Sequence, residues 1–164
     1  MLIALLADTH DNTANLQAAL ELLRPYQPVA YLHAGDVTLP ATLQLMVGTP
    51  AHIICGNNDN PAALARACQR LGLTWHNRLA QLRIAGKTIA MTHGDDTALC
   101  TDLVDLQQHD YMVYGHTHKP SDQRFGRMRV INPGALHRAH QRTVAILDVA
   151  ADKLEFISIP ERRA

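Results

Sequence analysis

The sequence predicts an α/β protein in which two β-sheets pack face to face with helices on their outer sides. Three observations lead to this class. Strand-like and helix-like segments alternate over residues 1–72, which is typical of a parallel sheet with crossover helices. The second half is rich in short strand-like segments, several of which flank turn residues. The length of 164 residues suits one compact domain, and no linker or internal repeat divides residues 1–164.

The first half alternates regularly. Apolar runs predict strands that are buried on both faces, and these are Leu2–Ala7, Val29–Ala34 and Ala51–Cys55. Apolar residues at helical spacing and start or stop signals predict the helices between them, which are Asn12 to about Arg24, a short one near Leu39–Met46, and one from Asn60-Pro61 to Gly72. This order favours parallel pairing of the three strands.

The second half predicts a mixed or antiparallel sheet. Two hairpins are expected around Ala85-Gly86-Lys87 and Gly126-Arg127, because strand-like segments flank the turn residues on both sides. The strands predicted here are Leu79–Ile84, Thr88–Met91, Tyr111–Tyr114, Gln123–Phe125, Met128–Ile131, Val144–Val149 and Leu154–Ile159. One helix is expected near Asp96–Gln107, where leucines recur at helical spacing.

Composition excludes several classes of protein. Fifteen Lys and Arg balance fifteen Asp and Glu, so the chain lacks the basic footprint of a nucleic-acid binder. Three separated cysteines, Cys55, Cys68 and Cys100, do not form a disulfide framework and fit a reducing compartment. No apolar run approaches the ~18 residues of a membrane span. The expected location is therefore the cytoplasm, without membrane contact.

Polar residues follow five of the predicted strands directly. These clusters are Asp8-Thr9-His10, Gly35-Asp36, Gly56-Asn57-Asn58-Asp59, His93-Gly94 and Gly115-His116-Thr117-His118. In open α/β sheets the carboxyl ends of the strands form the ligand-binding edge. The five clusters are therefore expected to converge, although they are far apart in the sequence.

The donor types in these clusters predict a metal centre. Alone, an Asp or Gly-Asp at a strand end is more often a turn or cap residue, and the joint pattern favours metal binding. Oxygen and imidazole donors without thiolates suit manganese, iron, nickel or zinc, and do not suit calcium or a structural zinc finger. The number of predicted ligands, seven, exceeds the four of a tetrahedral site and fits two ions that share a carboxylate. The predicted ligands are Asp8, His10, Asp36, Asn57, His93, His116 and His118.

In this order the motifs D-x-H, G-D, G-N-x-D, a lone His-Gly and G-H-x-H resemble those of the calcineurin-like metallophosphoesterases. The short length and the turn Asn132-Pro133-Gly134 resemble the small phosphodiesterase branch, often called YfcE-like. The resemblance covers Leu2 to about Val149. It implies a four-layer α/β/β/α sandwich of two mixed sheets flanked by helices.

The resemblance also implies an assignment of ligands to two divalent ions. Asp36 would bridge them, with manganese expected first and nickel, iron or zinc as alternatives. One ion would be held by Asp8, His10 and His118, and the other by Asn57, His93 and His116. A hydroxide that bridges the two ions would attack a phosphodiester.

Two residues beside the ligands are the expected catalytic residues. Many family members carry a histidine where this chain has Asn58, and an asparagine cannot be a general acid. Asn58 is expected to bind a phosphate oxygen, and Asp59 to orient a neighbouring ligand. The branch also often reads Asn-Pro-Gly-Ser, where this chain has Ala135.

The substrate expected is a small phosphodiester or nucleotide. A phosphomonoesterase, a nucleotide pyrophosphohydrolase and a protein phosphatase are the enzymatic alternatives, and a non-catalytic scaffold resembling a retromer subunit is the other. The resemblance further suggests a homodimer. Among the remaining histidines, His33 is a candidate for supporting a ligand. His137, Arg138 and His140 are candidates for contact with the substrate phosphate, while His52, His76 and His109 are expected to be structural or surface residues.

Overall fold

The computed structural model describes residues 1–160, and residues 161–164 of the predicted domain lie outside the described residues. The strands and α-helices are, in chain order, β1 (Leu2–Leu6), α1 (Thr13–Leu23), β2 (Ala30–His33), β3 (Ala51–Ile53), α2 (Pro61–Leu71), β4 (Thr74–Trp75), β5 (Leu79–Ile84), β6 (Lys87–Thr92), α3 (Thr97–Leu106), β7 (Tyr111–Val113), β8 (Ser121–Phe125), β9 (Met128–Asn132), β10 (Thr143–Asp148) and β11 (Lys153–Ser158). Two 3-10 helices lie at Arg24–Tyr26 and Pro40–Met46.

The strands form two mixed sheets. The first has the order β11-β10-β1-β2-β3-β4, and its strands β1 to β4 are parallel while β10 and β11 pair antiparallel. The second has the order β5-β6-β7-β9-β8, in which β6, β7 and β9 are parallel and the two edge strands are antiparallel. The central strands of each sheet are therefore parallel, and their carboxyl ends lie at the same edge of that sheet.

Three apolar clusters separate four layers. Leu16 of α1 and Leu64 of α2 pack on one face of the first sheet. Residues Ile3 and Leu5 of β1 face Ile89 of β6 in a second cluster between the sheets. A third cluster lies between α3 and the outer face of the second sheet. Since successive strand side chains point to opposite faces, the unbroken apolar run of β1 serves two clusters. The predicted α/β/β/α sandwich is confirmed.

The helices begin at the predicted signals. Asn12 and Asn60 accept hydrogen bonds from Asn15 N and Ala63 N, each at 3.0 Å, and cap α1 and α2. Gly72 ends α2 in the left-handed conformation. None of the helices in residues 1–160 combines the length and hydropathy that a bilayer crossing requires.

The short helix predicted near Leu39–Met46 is confirmed, and it is the 3-10 helix Pro40–Met46. The sequence gives no signal for β4, the edge strand that pairs with β3. A strand of two residues, Thr74–Trp75, is too short to show alternation.

A buried arginine joins the two sheets at the ends of the strands away from the polar clusters. Arg129 donates to both carboxylate oxygens of Asp122, at 2.8 and 2.7 Å, and to Asp152 Oδ1 at 2.7 Å. The Arg129 side chain is 10% exposed, and the two carboxylates are 34% and 41% exposed. Because they remain partly solvated, we expect Arg129→Met to cost about 2 kcal/mol of unfolding free energy at neutral pH, below the ~3–5 of a fully buried pair.

The unfolding free energy lost in Arg129→Met should depend on pH. Hydrogen bonds from Arg129 lower the pKa of Asp122. Burial raises the pKa of Asp152, but hydrogen bonds from Arg129 and Arg124 lower it overall. A depressed folded-state pKa adds stability above the unfolded value of ~3.9, and that stability is lost as the pH falls through the folded value. Guanidinium unfolding should therefore show the wild type and Arg129→Met converging near pH 3.

The exposed strand residue Arg83 is the control, and Arg83→Met should change stability by less than ~0.5 kcal/mol. A pH-independent difference would contradict the ionic interpretation.

Candidate metal centre

The structure brings all seven predicted ligands to one edge of the molecule. They follow the parallel strands β1, β2 and β3 of the first sheet and β6 and β7 of the second. Because these strands end at the same edge, residues 108 positions apart, such as His10 and His118, approach within hydrogen-bonding distance. The convergence predicted from the strand ends is therefore present in the fold.

One group of donors consists of Asp8, His10 and His118. The His10 and His118 Nε2 atoms are 3.2 Å apart, and His118 Nε2 is 3.4 Å from Asp8 Oδ1. A ligand atom from each of the three residues lies within 4.8 Å of the others. Three donors this close on side chains from both sheets could hold one metal ion.

The second group is centred on Asn57. Its Oδ1 lies 3.1 Å from His93 Nε2 and 3.1 Å from His116 Nδ1. Asp36 Oδ2 stands between the groups, 3.3 Å from His93 Nε2 and 3.6 Å from His10 Nε2. Asp8 also belongs to a close set with Asp36 and His93, so both carboxylates are near both groups.

Backbone carbonyls set the orientation of two imidazoles. His93 Nδ1 donates to Ala34 O at 2.8 Å, and His118 Nδ1 donates to Arg138 O at 3.3 Å. In the neutral tautomer this leaves the Nε2 lone pair of each ring facing oxygen acceptors. Lone pairs that face one another repel unless a proton or a cation lies between them. The donor set therefore fits metal ions, which need such oriented, deprotonated ligands.

The charges at the centre are strongly coupled. Burial raises the pKa of Asp8, and it outweighs His93 and His118, which lower it. Burial also raises the pKa of Asp36, but hydrogen bonds from His93 and Asn58 hold it below its ordinary value. For His93, burial lowers the pKa, while Asp36 and Ala34 raise it more. Two carboxylates in a confined space favour a counterion of positive charge.

The loops that carry the ligands are strained. Residues with a side chain rarely adopt a positive φ, and when they do so in a cluster the strain marks a functional site. Five of the seven candidates have φ between 42° and 65°, and these are Asp8, His10, Asp36, His116 and His118. The fold therefore holds these loops in a costly conformation that aims the side chains at one another.

Comparison with known proteins settles the family. A model of the calcineurin-like phosphoesterase superfamily domain matches residues 1–152. The chain belongs to the calcineurin-like phosphoesterase superfamily. The resemblance predicted from the five motifs is thus confirmed, and membership of this metallophosphoesterase family implies divalent metal ions.

Similar proteins and solved structures cover nearly the whole chain. The phosphodiesterase MJ0936 of Methanocaldococcus jannaschii is 25% identical over an alignment of 172 residues that covers 97% of this chain and 98% of that protein. The structure of an archaeal phosphodiesterase has a TM-score of 0.87 at 22% identity and covers 96% of this chain and 99% of its own. The YfcE phosphoesterase of E. coli has a TM-score of 0.69 at 17% identity, with coverages of 98% and 100%. Zinc-bound Vps29 of Entamoeba histolytica has a TM-score of 0.64 at 20% identity, with the same coverages.

The two predicted catalytic residues of this phosphoesterase take different positions. Asn58 is exposed, and its Nδ2 and backbone N donate to the two carboxylate oxygens of Asp36, at 2.7 and 3.0 Å. Asp59 instead accepts from the backbone of Asp36, Thr38 and Gly56, at 2.8, 2.6 and 2.8 Å. Asp59 therefore ties two ligand loops together, and Asn58 lies at the solvent-facing side of the centre.

Two supporting residues carried weak signals in the sequence. Asn132, at the end of β9, donates to Gly115 O at 2.7 Å and Thr117 Oγ1 at 3.0 Å, so the Asn-Pro-Gly turn holds the G-H-x-H loop. His33 is fully buried, and its Nε2 lies 2.7 Å from Thr9 Oγ1, between the ligands Asp8 and His10 in sequence. Burial lowers the pKa of His33 to about 4, so the ring is neutral.

A cavity lies away from this centre. It has a volume of about 490 Å³ and lies beside α1 at the opposite ends of β2 and β3, where Arg24, Tyr31 and Pro50 line it. Its lining includes none of the seven candidates. Chemistry, and not cavity size, therefore identifies the functional site.

Proposed function

We propose that this phosphoesterase is a phosphodiesterase that uses two divalent metal ions and acts on a small phosphodiester or nucleotide. Asp8, His10 and His118 would hold one ion, and Asn57, His93 and His116 the other. Asp36 would bind both ions. The observation that carries the proposal is the position of Asp36 Oδ2 between His10 and His93, at 3.6 and 3.3 Å.

The protein supplies orientation and charge in this reaction. When bound, two such ions acidify a water so that it attacks phosphorus near neutral pH, and they offset the charge of the phosphate oxygens. Asn58 holds both oxygens of Asp36, and its amide has a second N–H that can donate to a phosphate oxygen. Asp59 accepts hydrogen bonds from the backbone of Asp36 and Gly56 and so holds their two loops together, which makes it a positioning residue.

The substrate preference follows from Asn58. A phosphomonoester with a poor leaving group needs a proton donor there, and an amide cannot provide one. A non-catalytic scaffold would not need the full donor set, whereas this chain retains all seven donors. Both points favour a diesterase over the alternatives of monoesterase and scaffold.

A metal reconstitution assay tests the proposal. Purified protein is stripped of metal and assayed on bis-p-nitrophenyl phosphate and p-nitrophenyl phosphate with Mn²⁺, Ni²⁺, Zn²⁺ or Mg²⁺ in turn. We expect hydrolysis of the diester only after metal addition, at least about 100-fold above the stripped protein, because the ions supply the nucleophile and the charge. Bound metal is counted by elemental analysis, with two ions expected for each chain.

The outcomes are distinct. Preferential hydrolysis of the monoester would replace the diesterase with a monoesterase. Two bound ions without turnover on either ester would favour a scaffold, and a single ion at saturation would contradict the two-ion centre.

A further inference from the structure

A histidine outside the seven candidate ligands lies against the metal centre. The His137 ring centroid is 6.1 Å from that of His10. The next residue, Arg138, has its carbonyl bound to His118 Nδ1 at 3.3 Å and a φ of 52°. A strained loop that is fastened to a ligand therefore presents His137 to the Asp8–His10–His118 group.

The orientation of the His137 ring is set by Asn12. The Asn12 side-chain oxygen is occupied as the cap of α1, because it accepts from Asn15 N at 3.0 Å. Its amide nitrogen must then face His137 Nδ1, at 3.4 Å, and acts as the donor. Nδ1 is an acceptor in this contact, so the ring hydrogen lies on Nε2. Nε2 carries a hydrogen in the imidazolium form as well, which makes it a donor in either protonation state.

The surroundings of His137 are cationic. Burial lowers the pKa of His137, and the nearby Arg138, Arg142 and His118 lower it further. The Arg138 charge also lowers the pKa of His10, although burial contributes more. In a chain with no net charge, this corner suits an anionic ligand.

A hydrogen bond to the leaving-group oxygen would stabilise its developing charge, and Asn58 is a poor candidate for the donor. The Asn58 amide already donates to Asp36 Oδ2 at 2.7 Å and is held at that carboxylate. His33 is fully buried and bonded to Thr9, so it cannot reach a substrate. His137 is only half-buried, and it lies next to His10, whose Nε2 is 3.6 Å from Asp36 Oδ2.

We infer that His137 is a catalytic residue whose Nε2–H donates a hydrogen bond to the leaving-group oxygen of the phosphodiester. The inference rests on the proposed function. In the reaction the oxygen of a water bonds to phosphorus, and the P–O ester bond breaks with its electron pair on the leaving oxygen. The hydrogen bond stabilises that negative charge. The leaving oxygen takes up, through solvent, the proton that the attacking water gives up, so one water is consumed for each bond cleaved.

The dependence of rate on leaving group tests the inference. His137→Ala, His137→Gln and the wild type are assayed with manganese on aryl methyl phosphates that range from a p-nitrophenyl to an unsubstituted phenyl leaving group. His137→Ala should lower kcat about 10-fold for p-nitrophenyl and about 100-fold for phenyl, because a poorer leaving group develops more charge. Glutamine has a side-chain N–H at a similar distance and should restore part of the loss on phenyl. An equal loss on both esters, or no loss on either, would overturn the inference.

Two further measurements separate other causes. Metal content and manganese affinity, measured by calorimetry, should be the same in His137→Ala and the wild type, and weaker metal binding would overturn the role in substrate contact. His52→Gln, at a half-buried histidine of β3 that contacts His76, is the matched control and should stay within about twofold of the wild type on every ester. A wild type that is inactive on all esters would refute the proposed function and this inference together. An active wild type with an unchanged leaving-group dependence in His137→Ala would refute only the inference.

Discussion

Replacing Asp36 with asparagine is expected to lower metal-dependent phosphodiester hydrolysis about 1,000-fold. Asp36 Oδ2 lies 3.6 Å from His10 Nε2 and 3.3 Å from His93 Nε2, so it is the proposed link between the two ions. An amide has one neutral oxygen in place of two anionic ones. The variant therefore loses a negative charge and one of the two acceptor atoms that face Asn58.

Turnover and metal binding should change together in this variant. The kcat on bis-p-nitrophenyl phosphate is measured at saturating manganese, and bound metal is counted by elemental analysis. We expect fewer than two ions for each chain. Asp102→Asn makes the same chemical change on the exposed face of α3 and is the control, with activity within about twofold of the wild type. Full activity in Asp36→Asn would exclude a bridging role for this carboxylate.

Replacing Gly35 with alanine is expected to lower the free energy of unfolding by about 3 kcal/mol. Gly35 has a φ of +91°, and a Cβ there would lie 2.6 Å from Gly56 N and 2.9 Å from Cys55 C. Both contacts are with backbone, which cannot rotate away as a side chain can. The close approach holds the Asp36 loop against the Asn57 loop, so the substitution also separates two parts of the metal centre.

Gly48 offers a matched control for the strain alone. It has a φ of +83°, and a Cβ there would meet no atom within 4 Å. Gly48→Ala should therefore cost only about 1 kcal/mol, from the backbone conformation. Guanidinium unfolding is measured on metal-free protein, because bound metal would add its own stabilisation. Equal losses in the two variants would show that the clash with Gly56 does not matter.

The local features of this protein follow from the sequence because their causes are local. The apolar run at Leu2–Ala7 predicts a strand buried on both faces, and Asn60 with Pro61 marks the start of α2. Polar residues at the ends of predicted strands place the ligands at one edge, since parallel strands present their carboxyl ends together. The ordered motifs then suffice to identify the family. The two-residue strand β4 is absent from the prediction, because it forms through pairing with β3 and has no pattern of its own.

Contacts between distant segments depend on the tertiary structure, because they arise when the two sheets pack. Asp59 is expected from the sequence to orient a neighbouring ligand, and only the fold shows that it accepts hydrogen bonds from the backbone of Asp36 and Gly56. The sequence offers Asp11 or Asn12 as the cap of α1. In the fold Asn12 is the cap, and its amide also contacts His137, which is 125 positions later in the chain. A pattern of residue types specifies which donors are available. Only the packing of β1, β2 and β3 against β6 and β7 fixes which atoms meet, at which distance and with which charge.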